Sequence, residues 1–143
     1  MKGLVHIYEG TGKGKSTAGV GLTIRCAGNV FPVVYSQFLK DGTTGEMNIL
    51  RKIPNITVLV EEHHFGFSFL MTPEEKVEAK AAYTALFEKV KAAAVEQNAR
   101  LLVMDEMLDL CNAELIDTAM VVDFLKNRPE QLEVVMTGRN PKP

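Results

Sequence analysis

Apolar and polar positions along the chain follow two different periods in turn. Five short, nearly continuous apolar runs stand out, at residues 3–8, 33–38, 56–60, 101–104 and 132–137. Runs of that length predict strands, and their near-continuous apolar character predicts burial on both faces of a parallel sheet. His6 lies inside the first run and reads as a packed core residue rather than a ligand. Between the runs the period lengthens to that of a helix. Residues 15–27 predict a first helix, stopped at Gly28-Asn29 by a left-handed turn. Residues 46–52 predict a short one, ended before Pro54. Thr72-Pro73-Glu74-Glu75 is a capping box with proline at the first helical position, so a long helix is expected from there to about Asn98. Val77, Ala81, Tyr83, Leu86, Phe87, Val90 and Ala94 form its expected apolar stripe. A short helical piece is expected to reach Cys111, and a last helix to span residues 116–127, closed by Pro129. Residues 40–45 and 61–70 follow neither period and read as loops.

Strand and helix therefore alternate, which defines the fold class as α/β: a mostly parallel sheet with helices on both faces. Ligands of such sheets bind beyond the carboxyl ends of the strands. The 143 residues suffice for one domain with a core of its own. Hydrophobic content of 46% with 24% charged residues is that of an ordinary globular protein. A net charge of −2 suggests neither a nucleic-acid nor a membrane-surface partner, and no apolar run is long enough to span a bilayer. The first strand begins without a signal-peptide pattern, and Cys26 and Cys111 lack metal-ligand spacing. A cytoplasmic protein with reduced thiols is expected.

The chemistry concentrates at the ends of three strands. The first strand runs into Glu9-Gly10-Thr11-Gly12-Lys13-Gly14-Lys15-Ser16-Thr17, and a helix follows at once. Strand, glycine-rich turn and helix together make a phosphate-binding loop, so the α/β fold, a mostly parallel sheet with helices on both faces, is expected to be P-loop NTPase-like. Its backbone N–H groups and the positive end of the new helix face an anion. Lys15 adds a full charge and Ser16 a hydroxyl suited to Mg2+. Glu9 stands where the strict motif has glycine, so the loop is a Gly-Lys-Gly-Lys variant. Asp105-Glu106 closes the fourth strand as a Walker-B-like pair and is expected to hold the same Mg2+. Arg139, after the fifth strand, reads equally as a phosphate contact and as a solvated arginine. Arg25, at the end of the first helix, reads as a weaker nucleotide contact or as a complement to the helix dipole. His63-His64 reads as solvated. Phe65, Phe67 and Phe69 read as plugs beneath their loop, ahead of an apolar wall for a flat ligand. No Ser-His-Asp arrangement or zinc spacing is present in the sequence, and no dedicated general base stands out.

Taken in order, these segments resemble the P-loop type of ATP:corrinoid adenosyltransferases, the cob(I)alamin and cob(I)yrinic acid a,c-diamide adenosyltransferases. The resemblance covers essentially the whole chain. It rests on residues 10–17 and 34–40, Gly66-Phe67-Ser68-Phe69, Val103-Met104-Asp105-Glu106, and Lys126-Asn127-Arg128-Pro129 followed by Thr137-Gly138-Arg139-Asn140. It implies transfer of the 5′-deoxyadenosyl group of ATP to the cobalt of a reduced corrinoid, with release of triphosphate. It implies that residues 12–17 hold the triphosphate, that Lys15 neutralises the leaving group, and that Ser16, Asp105 and Glu106 place Mg2+. ATP lies reversed relative to ordinary NTPases in that family, and Arg25 matches an arginine near the nucleotide. Phe67 and Phe69 match the aromatic pair below the corrin ring, with phenylalanine at 69 where the family usually has tryptophan. Ala113-Glu114 replaces a common Tyr-Gly. A homodimer and a flavoprotein-type reductant are further implied partners. Family members continue past Thr-Gly-Arg, so the expected domain, residues 1–143, lacks the family's C-terminal segment. Two alternatives stay open on the residues alone. One is a small P-loop NTPase or kinase that transfers the γ-phosphoryl group. The other is a non-catalytic nucleotide- or corrinoid-binding module.

Overall fold

The computed structural model describes residues 3–9, 15–39, 45–61 and 71–138, with the helical backbone alone at 15–17. The described strands are β1 (Val5–Glu9), β2 (Val33–Gln37), β3 (Ile56–Val60), β4 (Leu101–Asp105) and β5 (Glu133–Gly138). The helices are α1 (Lys15–Gly28), α2 (Gly45–Leu50), α3 (Pro73–Glu96), α4 (Met107–Asn112) and α5 (Thr118–Asn127). All five strands lie parallel in one sheet of order β1-β5-β4-β2-β3. The α/β class and the parallel sheet expected from the periodicity are thus observed.

The strands sort their side chains strictly by parity, as a pleated sheet must. Val34, Leu102, Met104, Val134 and Met136 face one layer, where Phe87 and Val90 of α3, Leu110 of α4 and Val121 and Phe124 of α5 pack. Val33, Tyr35, Leu101, Val103 and Val135 face the other, against α1 and Met47 and Leu50 of α2. Every residue of β2 and β4 is buried. That explains why these central strands read as unbroken apolar runs rather than as alternating ones. The crossovers from β1 to β2 and from β2 to β3 step one way along the sheet and carry α1 and α2. Those from β3 to β4 and from β4 to β5 step back and carry α3, α4 and α5. Right-handed crossovers require that reversal to put the two sets on opposite faces.

The cap of α3 is the one its sequence specifies. Thr72 Oγ1 accepts from the Glu75 N–H at 3.1 Å, and the Glu75 carboxylate accepts from the Thr72 N–H at 3.4 Å. Its buried stripe differs from the expected one: it runs through Ala79, Tyr83, Leu86, Phe87, Val90 and Ala94. Val77 and Ala81 are exposed. Each lies two residues from Ala79, about 200° around the helix, so neither shares its face. His6 is likewise not a core residue. Among the described strands β1 is an edge, and the His6 ring is half-buried, stacked on Tyr8 at 6.4 Å with Nε2 3.3 Å from Glu133 Oε1.

Candidate active site

The carboxyl edge of the sheet gathers a row of polar side chains on the α1 face. The β1–β5 register sets Tyr8 opposite Thr137, and the β2–β4 register sets Gln37 opposite Asp105. One step beyond the Met104–Met136 pair, Asp105 comes opposite Thr137. Thr137, Asp105 and Gln37 are fully buried. Polar groups removed from water need partners. Gln37 Nε2 donates to Glu46 Oε1 of α2 at 3.3 Å. Thr137 Oγ1 donates to Asp105 Oδ1 at 2.5 Å. Just below the row, burial pushes the Tyr35 phenol pKa up, and the charges of Asp105, Glu46 and Glu106 push in the same direction.

Glu106 turns the chain out of β4. It adopts the left-handed conformation, φ 66° and ψ 13°, and precedes the first residue of α4. A residue with a Cβ is disfavoured there by about 1–2 kcal/mol, so neighbouring contacts must hold it. Thr137 supplies one, since its Oγ1 accepts from the Glu106 N–H at 2.9 Å. Gly138 supplies a second constraint. Its φ of +148° suits glycine, and a Cβ built on it would stand 2.5 Å from Leu108 Cβ and 3.0 Å from Asp109 N. Only a missing side chain lets β5 and α4 approach so closely.

The phosphate-loop helix lies over the same row. A Cβ on Gly19 would stand 3.3 Å from Val103 Cγ1 and 3.9 Å from Thr137 Cγ2. The absence of that carbon lets α1 settle onto β4 and β5. The helical backbone at Lys15, Ser16 and Thr17 begins about one turn before Gly19. The N-terminus of α1, with its free N–H groups and partial positive charge, therefore opens at the edge that carries Asp105, Glu106 and Thr137.

The structure thus brings Asp105 and Glu106 together with the start of the helix that holds Lys15, Ser16 and Thr17. Gly10, Thr11, Gly12, Lys13 and Gly14 lie outside the described residues, as do His63, His64, Phe65, Phe67, Phe69 and Arg139. Arg25 is not brought to this edge. It is exposed, ten residues along α1 from Lys15, or about 15 Å along the axis. There it lines a groove of about 620 Å³ with His6, Cys26, Arg100 and Glu133, toward the amino ends of β4 and β5. Arg128 of the Asn-Arg-Pro segment proves to be a structural tie: Nη1 donates to Leu125 O at 2.5 Å and Nη2 to Gly3 O at 2.6 Å, joining α5 to the entry of β1. Sequence reasoning passed over Thr137 and Gln37 as site residues. Their signal is parity: Gln37 ends β2 and Thr137 is next to last in β5, both on the face that Asp105 also occupies, which becomes legible only with the strand order in hand.

The oxygen chemistry of the edge fits Mg2+. Among the described residues no group of three or more His, Cys, Asp or Glu side chains forms a cage. One or two carboxylates completed by a hydroxyl and by phosphate oxygens is the usual arrangement for that ion. A parallel α/β sheet with a helix start beside an acidic strand end is the frame of a P-loop NTPase-like protein.

Comparison with known proteins narrows the class. The family model of ATP:corrinoid adenosyltransferase BtuR/CobO/CobP matches residues 1–143, and the chain belongs to that family. A corrinoid adenosyltransferase of Sinorhizobium sp. is 32% identical over 143 residues, which cover 99% of this chain and 66% of that protein. One from Escherichia coli K12 is 28% identical, covering 96% of this chain and 68% of that protein. One from Pseudomonas aeruginosa is 27% identical, covering 99% and 69%. The chain therefore spans about two thirds of the length of these three relatives. The family is one of enzymes, and the γ-phosphoryl-transferring alternative finds no support in it. Among the described residues no helix is long and apolar enough to cross a membrane.

Proposed function

We propose that residues 1–143 form a single P-loop domain that transfers the 5′-deoxyadenosyl group of ATP to the cobalt of a reduced corrinoid. The observation that carries this reading is the Asp105–Glu106 turn at the carboxyl edge, beside the start of α1, in a chain of this family. In the reaction an electron pair of cobalt(I) forms the Co–C5′ bond. The C5′–O bond breaks, and its electron pair leaves with triphosphate. The cobalt is itself the nucleophile, which accounts for the lack of a dedicated base in the sequence. The catalytic problem is charge accumulating on the leaving group.

The groups expected to meet that charge are the loop Gly10, Thr11, Gly12, Lys13 and Gly14, the α1 N–H groups at Lys15, Ser16 and Thr17, and the Lys15 ammonium. Arg139, next in sequence after β5, is the further candidate. A Mg2+ ion held by Ser16, Asp105 and Glu106 would neutralise polyphosphate charge. Phe67 and Phe69 are assigned to the corrinoid side. Arg25 is the weakest of these assignments, since it stands at the far end of α1 and needs some other segment to bring a nucleotide to it. A homodimer, a flavoprotein-type reductant and a cytoplasmic location complete the reading.

Product analysis tests it. The protein is incubated with ATP, Mg2+ and chemically reduced cobalamin. Inorganic triphosphate and a light-sensitive cobalt–carbon product are expected. ADP and phosphate in their place would overturn the assignment, and so would the absence of any turnover.

A further inference from the structure

Asp105 and Glu106 are adjacent in sequence, yet nothing in β4 itself explains how both are held at the edge. The Asp105 carboxylate is fully buried, and Glu106 sits in a conformation that its side chain disfavours. A single atom touches both. Thr137 Oγ1 gives its proton to Asp105 Oδ1 at 2.5 Å and takes one from the Glu106 N–H at 2.9 Å. A hydroxyl has one proton to give and lone pairs to receive, so these two bonds together fix its rotor. The first has the length of a charge-assisted O–H···O⁻ bond, among the stronger hydrogen bonds in proteins. Thr137 also stands on β5, the strand between phosphate-loop strand β1 and acidic strand β4. Its methyl group lies under α1, 3.9 Å from where a Gly19 Cβ would be.

We infer that Thr137 is a positioning residue. Its hydroxyl pins the Asp105 carboxylate and the left-handed Glu106 turn in one arrangement, so that both acids meet a divalent cation carried on the polyphosphate of ATP. This rests on the reading of Asp105 and Glu106 as the Mg2+-holding pair. A side chain of the same shape without the hydroxyl keeps the packing under α1. It leaves a buried carboxylate one donor short and the Glu106 N–H without its acceptor. A serine does the reverse, keeping both bonds and removing the methyl. Partners that orient metal ligands in this way typically change metal affinity by about 10- to 100-fold when removed.

The test compares the wild-type chain with Thr137→Val, Thr137→Ser and Asp105→Asn. Mn2+ binding in the presence of ATP is read by electron paramagnetic resonance, ATP binding without metal by calorimetry, and folding by thermal melts. Thr137→Val is expected to weaken Mn2+ binding by about tenfold or more while metal-free ATP binding stays within about twofold. Thr137→Ser is expected to stay near wild type in both. Mn2+ affinity unchanged in Thr137→Val but lowered in Asp105→Asn overturns the role of Thr137 and leaves the acid pair standing. Unchanged affinity in both overturns the reading of the pair itself. A Thr137→Ser protein weakened as much as Thr137→Val, or more, shows that volume rather than the hydroxyl matters, and the inference fails. Should the valine protein not fold, Thr137→Cys, a similar volume with a weak donor, carries the same comparison against Thr137→Ser.

Discussion

Gly138→Ala is a sharp perturbation, because it adds a single carbon at the contact between β5 and α4. That carbon would stand 2.5 Å from Leu108 Cβ, 3.0 Å from Asp109 N and 3.1 Å from Asp109 Oδ2. Carbon atoms rest at about 3.5–4.0 Å, so the overlap with Leu108 exceeds about 1 Å. Cβ and backbone atoms cannot rotate away, and α4 must move bodily. Overpacking of that kind costs about 1–3 kcal/mol. Holding a non-glycine residue at a φ of +148° adds about 1–3 kcal/mol. The sum is centred near 4 kcal/mol, a large share of the about 5–15 kcal/mol that holds a domain together. At about 3–4 °C per kcal/mol for a chain of this size, the melting temperature should fall by about 12–16 °C. Gly21→Ala is the control. It lies on exposed α1 surface with nothing within 4 Å of its Cβ position, and it should gain about 0.5–1 kcal/mol of helix propensity. Melts of both variants against wild type, followed by circular dichroism, decide the matter. A Gly138→Ala protein melting within about 2 °C of wild type refutes the claim that this glycine sets the approach of α4 to β5.

Lys15→Ala is expected to abolish adenosyl transfer while corrinoid binding, read from the corrinoid spectrum, persists; undiminished transfer would remove the phosphate loop from the mechanism. A pH effect follows from Tyr83, whose phenol burial raises to about 12, with Glu61 adding to the rise. The unfolded chain ionises this group near pH 10 and the folded chain only near 12. Its contribution is therefore complete below about pH 10 and is lost as pH climbs toward 12. Urea midpoints measured across that window should fall less steeply for Tyr83→Phe than for wild type, and equal slopes would contradict the assignment.

The class of fold was legible because both periods of the apolar pattern are strong. Buried parallel strands such as β2 and β4 have no solvent face to dilute them, and the α3 cap is written in four consecutive residues. The same pattern was misleading where exposure depends on neighbours. His6 reads as core within its run, yet β1 is an edge among the described strands. Val77 and Ala81 are apolar, but they turn away from the sheet. Local motifs also singled out Asp105-Glu106 and the phosphate loop, because a strand that ends in acids or glycines carries its signal in adjacent residues.

By itself, then, the order of residues determined which segments become strands and helices, and it marked the stretch expected to receive an anion and the acids expected to face a cation. Each of these depends on contacts within a few positions. The strand order β1-β5-β4-β2-β3, and with it the meeting of Thr137 with Asp105 across 32 residues, was decided only by the folded sheet. Pairing between strands is settled by packing of whole faces and by the handedness of the crossovers. Those are properties of the assembled layers, and no window of neighbouring residues contains them.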